Sequence, residues 1–143
     1  TDSNVYRWNK NDWERMPGTG VAISVDRSGA AWVVNVSNEI YRWGRGNFER
    51  QPGSARDVGA ESDVWIVGTD SQLYRFDSGK WSPMGGMGVR VSAGANGTAW
   101  VVNQAGEIHR WQSGSFQQLP GSATDVGANV KGDTWVIGRA GPQ

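Results

Sequence analysis

The chain has 143 residues, fourteen Lys and Arg against fourteen Asp and Glu, and no cysteine, a length that suits one domain with a core of its own. The even charge balance offers no basic stripe for a phosphate backbone, so nucleic acid is not an expected partner, and the missing cysteines exclude disulfides, thiolate catalysis and Cys-based zinc sites. No apolar run approaches the roughly eighteen residues of a membrane span, and no charged-then-apolar leader opens the sequence, as expected of a cytosolic or already processed chain.

From the N-terminus, runs with strand character follow one another at short intervals. "VYRW" at 5–8 and "DWERM" at 12–16 come first, then "GVAISV" at 20–25, "AAWVVN" at 30–35, "EIYRW" at 39–43 and "NFERQ" at 47–51. "ARDVGA" at 55–60, "DVWIVG" at 63–68, "LYRF" at 73–76 and "KWSPM" at 80–84 repeat the order. It recurs in "GVRVSA" at 88–93, "TAWVVN" at 98–103, "IHRW" at 108–111 and the stretch around Phe116, and "ATDVGA" at 123–128 and "DTWVIG" at 133–138 begin it once more. These runs are rich in Val, Ile, Trp and Tyr and are separated by "VSN", "GRG", "DSG", "QAGE" and "PGS", which reads as strands joined by turns. Gly or Pro interrupts every stretch of helical length, and none keeps a 3.6-residue period.

Four units therefore begin at Val5, Ile40, Leu73 and Ile108, spaced 35, 33 and 35 residues apart. All nine Trp, three Tyr and three Phe fall into four columns of this repeat, and the single His109 stands in the Tyr column. A ring present once per unit belongs first to the packing of that unit, because each copy must bury the same faces. Four short antiparallel strands in about 35 residues describe a β-propeller blade. We therefore expect an all-β propeller in one domain, residues 1–143. It has three whole blades, and a fourth is closed by pairing the N-terminal "VYRW" with the C-terminal "TWVIG", which leaves no open edge. A four-bladed monomer is preferred to a homo-oligomeric ring or filament. Trp32, Trp65, Trp100 and Trp135 are expected in equivalent buried positions. Arg7, Arg42, Arg75 and Arg110 lie opposite their aromatic neighbours on the strand and need pairing, stacking or hydrogen bonds, some of them from Asp57 and Asp125.

The units also alternate. "PGSARDVGA" at 52–60 and "PGSATDVGA" at 120–128 differ at one position, giving a 68-residue superrepeat, and Asn35 and Asn103 stand where the other two units have Gly68 and Gly138.

The stretch "ARDVGA…VWIVGTDSQLYRFDSGKWSPMGG" resembles the tectonin repeat, with its Trp-Val strand, Ile-Tyr-Arg-Trp strand and following Gly-x-Trp turn. The resemblance covers residues 5 to about 139. It implies a β-propeller and carbohydrate recognition: tectonin and tachylectin-like proteins bind lipopolysaccharide, N-acetylated sugars or methylated glycans. It also implies a secreted or extracellular setting, although intracellular adaptors occur among these proteins. The lectins it resembles are rings of about six blades.

Catalysis asks for a polar constellation that breaks the repeat, and none does. His109 reads as a packed ring, and Glu39 and Glu107 as solvated turn residues. "DRSG" at 26–29 and "TDSQ" at 69–72 lack the ligand number of a calcium loop. We expect a non-enzyme without cofactor or metal. The expected function is a lectin that takes glycans through repeated sites on or between blades, using the turn-flanking rings Trp13, Phe48, Trp81 and Phe116 with Asn35, Asn103, Asp57 and Asp125. A sugar offers C–H faces to rings and hydroxyls to such polar groups. The alternative is a structural or adaptor propeller that self-assembles or binds proteins through its blade edges.

Overall fold

The computed structural model describes residues 3–139, so the two ends of the expected 1–143 domain lie outside the described residues. Strand follows strand with one 3-10 turn at Ala95–Gly97. A hairpin of β1 (Asn4–Trp8) and β2 (Trp13–Thr19) comes first. β3 (Ala22–Val25), β4 (Ala31–Val34), β5 (Glu39–Gly44) and the first half of β6 (Asn47–Ala60) make one antiparallel blade. The second half of β6 pairs with β7 (Val64–Gly68), followed by β8 (Gln72–Asp77) and β9 (Lys80–Met87), to make the next. β10 (Arg90–Ala93), β11 (Ala99–Val102), β12 (Ile108–Gln112) and β13 (Ser115–Leu119) make a third. β14 (Ala123–Ala128) and β15 (Thr134–Gly138) form a final hairpin. "NFERQ" and "ARDVGA" thus belong to one long strand that leaves the outside of one blade and becomes the inside of the next. No helix among the described residues is long and apolar enough to cross a membrane.

Local chemistry sets the hairpins. Arg45–Gly46, Ser78–Gly79 and Ser113–Gly114 all have positive φ at both positions, the backbone of a tight two-residue turn whose twist matches its strands. Loops between the second and third strands are tied by side chains: the Asn35 carbonyl oxygen accepts from the amides of Ser37 and Glu39 at 3.0 and 2.9 Å.

The core lies between successive sheets. Trp32 of the first blade meets Phe76 and Trp81 of the second edge-on, at 5.3 and 6.1 Å between ring centroids. Trp65 meets Trp111 and Phe116 of the third at 5.8 and 6.3 Å. Burying one such ring contributes about 4–6 kcal/mol gross, set against the entropy of ordering the strand that carries it. In the three whole blades the arginine of the repeat lies over the tryptophan of the strand it pairs with, whereas Arg7 lies over Trp43 of the following blade. Arg42 is 5.7 Å from the Trp32 ring centre, Arg75 6.0 Å from Trp65 and Arg110 5.5 Å from Trp100, within cation–π range. Their polar partners are Asp26, Asp63 and Gln117. The expectation that Asp57 and Asp125 serve these arginines is thereby corrected: both aspartates sit on innermost strands, away from the third-strand column.

Ring closure is the second correction. β1 and β15 are not paired; β1–β2 and β14–β15 remain separate two-stranded sheets, so the described chain is an open arc with three whole blades between two half-blades. Burial of the tryptophan column is the third correction. Trp32 and Trp65 are buried and Trp100 half-buried, but Trp135 is 79 % exposed. Its equivalents Trp32 and Trp65 take their cover from the ring pair of the following blade, and no such pair packs on Trp135 among the described residues.

Candidate functional site

Between successive blades a cleft recurs. The first opens between the β1–β2 hairpin and the first blade, with a volume of about 280 Å³, and is lined by Gly18, Thr19, Val33, Asn35, Tyr41 and Phe48 among others. The second, about 220 Å³, lies between the first and second blades and is lined by Gly53, Ser54, Ile66, Gly68, Tyr74 and Trp81, with Asp70 beside them. These two linings correspond position by position in the repeat: a Pro-Gly turn, a hydroxyl, an aliphatic floor, a tyrosine and a large ring.

The polar edge of each cleft is a tyrosine–carboxylate pair. The Tyr41 hydroxyl donates to Glu39 at 3.1 Å, and the Asn35 amide donates to the same carboxylate at 2.8 Å. In the second cleft the Tyr74 hydroxyl donates to Asp70 at 2.6 Å. Hydrogen bonds from Asn35 and then Tyr41 hold the Glu39 carboxyl below the usual range, and the bond to Glu39 pushes the Tyr41 phenol up. The Tyr74 hydroxyl and then the Gln72 amide hold Asp70 low, and its bond to Asp70 pushes Tyr74 up. The second cleft therefore offers a fixed carboxylate and a phenol oxygen beside an aromatic wall, and the first a phenol and an amide that are both tied to one carboxylate.

Alternation of Asn and Gly follows from these pairs. A Cβ on Gly68 would stand 2.5 Å from Asp70 Oδ1 and 2.9 Å from the Tyr74 ring. The second blade brings its acid from the loop and needs glycine there; the first brings it from position 39 and holds it with Asn35. The third blade repeats the first, its Asn103 amide donating to Glu107 at 2.7 Å, with His109 in the tyrosine's place. Glu39 and Glu107 are thus bonded partners of the asparagines rather than solvated turn residues.

Of the expected site residues, Asn35 and Phe48 line the first cleft and Trp81 the second. Trp81 is also structural, wedged on Trp32 and Phe76 with its indole N–H donating to the Pro52 carbonyl at 2.8 Å. Phe116 packs under Trp65, and Asn103 ties the β11–β12 loop. Asp57 and Asp125 lie elsewhere, in a polar axial trough of about 500 Å³ along the innermost strands with Arg56 and Arg90. Asp57 accepts the Val91 amide at 3.0 Å, and burial pushes its carboxyl up; Asp125 lies 3.9 Å from Arg90. Trp13 stands apart, 62 % exposed, edge-on to Trp8 at 5.3 Å. Sequence reading missed Tyr41, Tyr74, Thr19, Ser54 and Asp70. The signal for them was present as the Tyr column with an acid two or four positions ahead, but a column that looks structural hides its exposed hydroxyl. Among the described residues no group of three or more His, Cys, Asp or Glu could hold a metal ion.

The tectonin domain profile matches residues 1–72 and again 54–141, a pair of overlapping matches that takes in nearly the whole chain. The chain belongs to the tectonin family. No curated protein matches the sequence significantly. Among solved structures, this tectonin arc resembles YCF48 bound to a D1 peptide, with 16 % identity and a TM-score of 0.63 over 96 % of this chain and 54 % of that one. It resembles human WBSCR16 with 11 % identity and a TM-score of 0.70 over 90 % of this chain and 52 % of that one. It also resembles the computationally designed Ika4 protein with 15 % identity and a TM-score of 0.57, over 86 % of this chain and 96 % of that one. YCF48 and WBSCR16 are propellers, and at these identities the likeness is one of fold. The tectonin chain spans about half the length of both.

Proposed function

We propose that the protein is a non-enzymatic carbohydrate-binding tectonin that takes sugars in the clefts between successive blades. The observation that carries this reading is the recurrence, in two clefts, of a ring wall facing a tyrosine–carboxylate pair and a Pro-Gly turn bearing a hydroxyl side chain. A pyranose has an apolar C–H face for the ring and vicinal hydroxyls that donate to a carboxylate or a phenol oxygen and accept from an amide. Each cleft is small and open, so single-site affinity is weak and repetition supplies avidity. Glycans bearing N-acetyl or O-methyl groups, or lipopolysaccharide cores, suit the aliphatic floors formed by Val33 and Ile66.

Titration calorimetry against lipopolysaccharide cores, N-acetylglucosamine and O-methylated mannose or fucose tests the reading. Binding is expected at two or more equivalent sites, and replacing Tyr41 and Tyr74 together by Phe should weaken it roughly tenfold through loss of one hydrogen bond per site. Silence across the panel at millimolar ligand would move the reading to a protein-binding propeller, the use suggested by YCF48, whose structure holds a peptide.

A further inference from the structure

The groups that hold Asp26 in the first blade recur in the third, and the aspartate does not. Asp26 follows β3 and opens a five-residue turn, its amide donating to the Ala30 carbonyl at 2.9 Å. Its Oδ2 accepts from the Trp32 indole N–H at 2.9 Å and from Arg42 Nη2 and Nε at 3.2 and 3.3 Å. Its Oδ1 accepts from the Ser28 amide at 2.9 Å and the Ser28 hydroxyl at 2.5 Å. A carboxylate between an indole N–H and a guanidinium makes the stronger, charge-assisted kind of hydrogen bond.

The third blade repeats this frame. Ser92 faces Trp100 as Ser24 faces Trp32, and Trp100 faces Arg110 as Trp32 faces Arg42. Arg110 lies 5.5 Å from the Trp100 ring centre, against 5.7 Å for Arg42 and Trp32. The turn after β10 again has five residues, closed by the Gly94 amide donating to the Thr98 carbonyl at 2.9 Å. Residue 94 is thus the superrepeat equivalent of Asp26, and it is glycine. The backbone does not ask for glycine there, since φ −126° and ψ −163° are extended. A Cβ on Gly94 would stand 3.4 Å from Trp100 Nε1 and 2.8 Å from Thr98 Oγ1, so a side chain at this place points at the indole. Arg110 Nε, the counterpart of a nitrogen that binds Asp26, is buried without a hydrogen-bond partner among the described residues. A buried cationic N–H of this kind calls for an acceptor. In the second blade Glu61 holds the turn position but pairs with Arg27 at 2.9 and 3.2 Å, and there the Trp65 indole nitrogen is the buried donor without a partner. The third blade is the more open of the two, with Trp100 and Arg110 half-buried and Asn96 exposed in the turn.

We propose that the third blade binds a carboxylate of acetate size beside Gly94, held by the Trp100 indole N–H and the Arg110 Nε–H as Asp26 is held by Trp32 and Arg42. Acetate has the carbon skeleton of the side chain that distinguishes Asp26 from Gly94, and it carries the same charge. One oxygen takes the two ring-side donors, and the other lies towards Thr98, whose hydroxyl stands near the Gly94 Cβ position. Trp100 and Arg110 alternate along their strands with Val101 and His109, so this site lies on the opposite face of the sheet from the cleft positions. It does not depend on the sugar reading and can hold or fail independently of it.

Indole proton–nitrogen correlation spectra of the 143-residue chain test this, with the Trp100 peak assigned through Trp100→Phe. Sodium acetate at pH 7 should move the Trp100 peak downfield along a saturable curve, and sodium chloride at matched ionic strength should leave it in place. The Trp32 peak, whose N–H already has its carboxylate, should respond to neither salt. Arg110→Gln should abolish the acetate response. The double variant Gly94→Asp, Thr98→Ala, which copies Asp26 and Ala30 of the first blade, should put the Trp100 peak near its acetate-saturated position without acetate, and added acetate should move it no further. A linear or absent response to acetate, an equal response to chloride, or a saturable response that survives in either variant would overturn the proposal.

Discussion

At the scale of single residues, equivalent positions in the repeat do not carry equivalent energies. The Trp32 indole N–H donates to Asp26 at 2.9 Å, whereas the Trp65 indole nitrogen is buried without a hydrogen-bond partner. The turn before Trp32 is longer, and it curls Asp26 under the ring; the shorter turn at 61–63 brings no acceptor. Burial pushes the Asp26 carboxyl up, but bonds from Ser28, Trp32 and Ala30 and the Arg42 charge together outweigh it and leave it low. Trp32→Phe should therefore cost about 1–3 kcal/mol more than Trp65→Phe in urea denaturation, because it strips a half-buried carboxylate of one donor; equal costs would contradict this. Asp57 behaves in the opposite sense. Burial raises its folded-state pKa above the unfolded value, so its charged form opposes folding. That penalty is fully present above the folded pKa and is relieved as pH falls through it. Asp57→Asn should accordingly raise the melting temperature at pH 7, with the advantage shrinking towards pH 4. A variant less stable than wild type at pH 7 would show that the carboxylate's bond to Val91 outweighs its burial.

Among the elements, the innermost strands decide how closely blades approach, and glycine sets the spacing. Gly59→Ala places a methyl group against the β10 backbone, which cannot give way like a side chain, and should cost about 1–3 kcal/mol. Gly127→Ala, with open space around it, should change chain stability by less than about 0.5 kcal/mol. Urea midpoints of the two variants provide the comparison. The alternation of the blades has the same origin. The Ser24 hydroxyl accepts the Ala60 amide, and the Ser92 hydroxyl accepts the Ala128 amide, both at 2.9 Å. Odd blades thus supply a serine acceptor to the even blade that follows, and the second blade supplies an aspartate acceptor, Asp57, to the third. Two kinds of blade junction are therefore required, and the 68-residue superrepeat records them.

For the whole molecule, burial is uneven along the arc, deepest in the blades that have a neighbour on both sides. An arc with exposed Trp8, Trp13, Ile23, Trp135 and Ile137 at its two ends carries apolar surface of the kind that marks an interaction face. Trp13, expected as a sugar platform, belongs to this exposed end, edge-on to Trp8.

The sequence by itself determined the strands, their order, the four-fold repeat and the inward place of Trp32 and Trp65. Each of these follows from short-range alternation and turn chemistry that every unit writes again. It also pointed to Asn35 through the alternation of the units, and to Phe48 and Trp81 because rings that flank the "GRG" and "DSG" turns reach the blade rim. Only the tertiary structure decided that Tyr41 and Tyr74 face the clefts with a carboxylate in hand, since a tyrosine in a packed column shows nothing in sequence of where its hydroxyl ends. It likewise separated Asp57 from Asp125 and Gly59 from Gly127, identical pairs whose surroundings differ because the contacts of a blade come from the next blade along. Whether the arc closes rests on the rotation between blades, a small angle set by side-chain volumes at each junction and multiplied around the ring. No single residue encodes that sum, which is why Trp135 reads as core in the sequence and stands exposed at the edge of the fold.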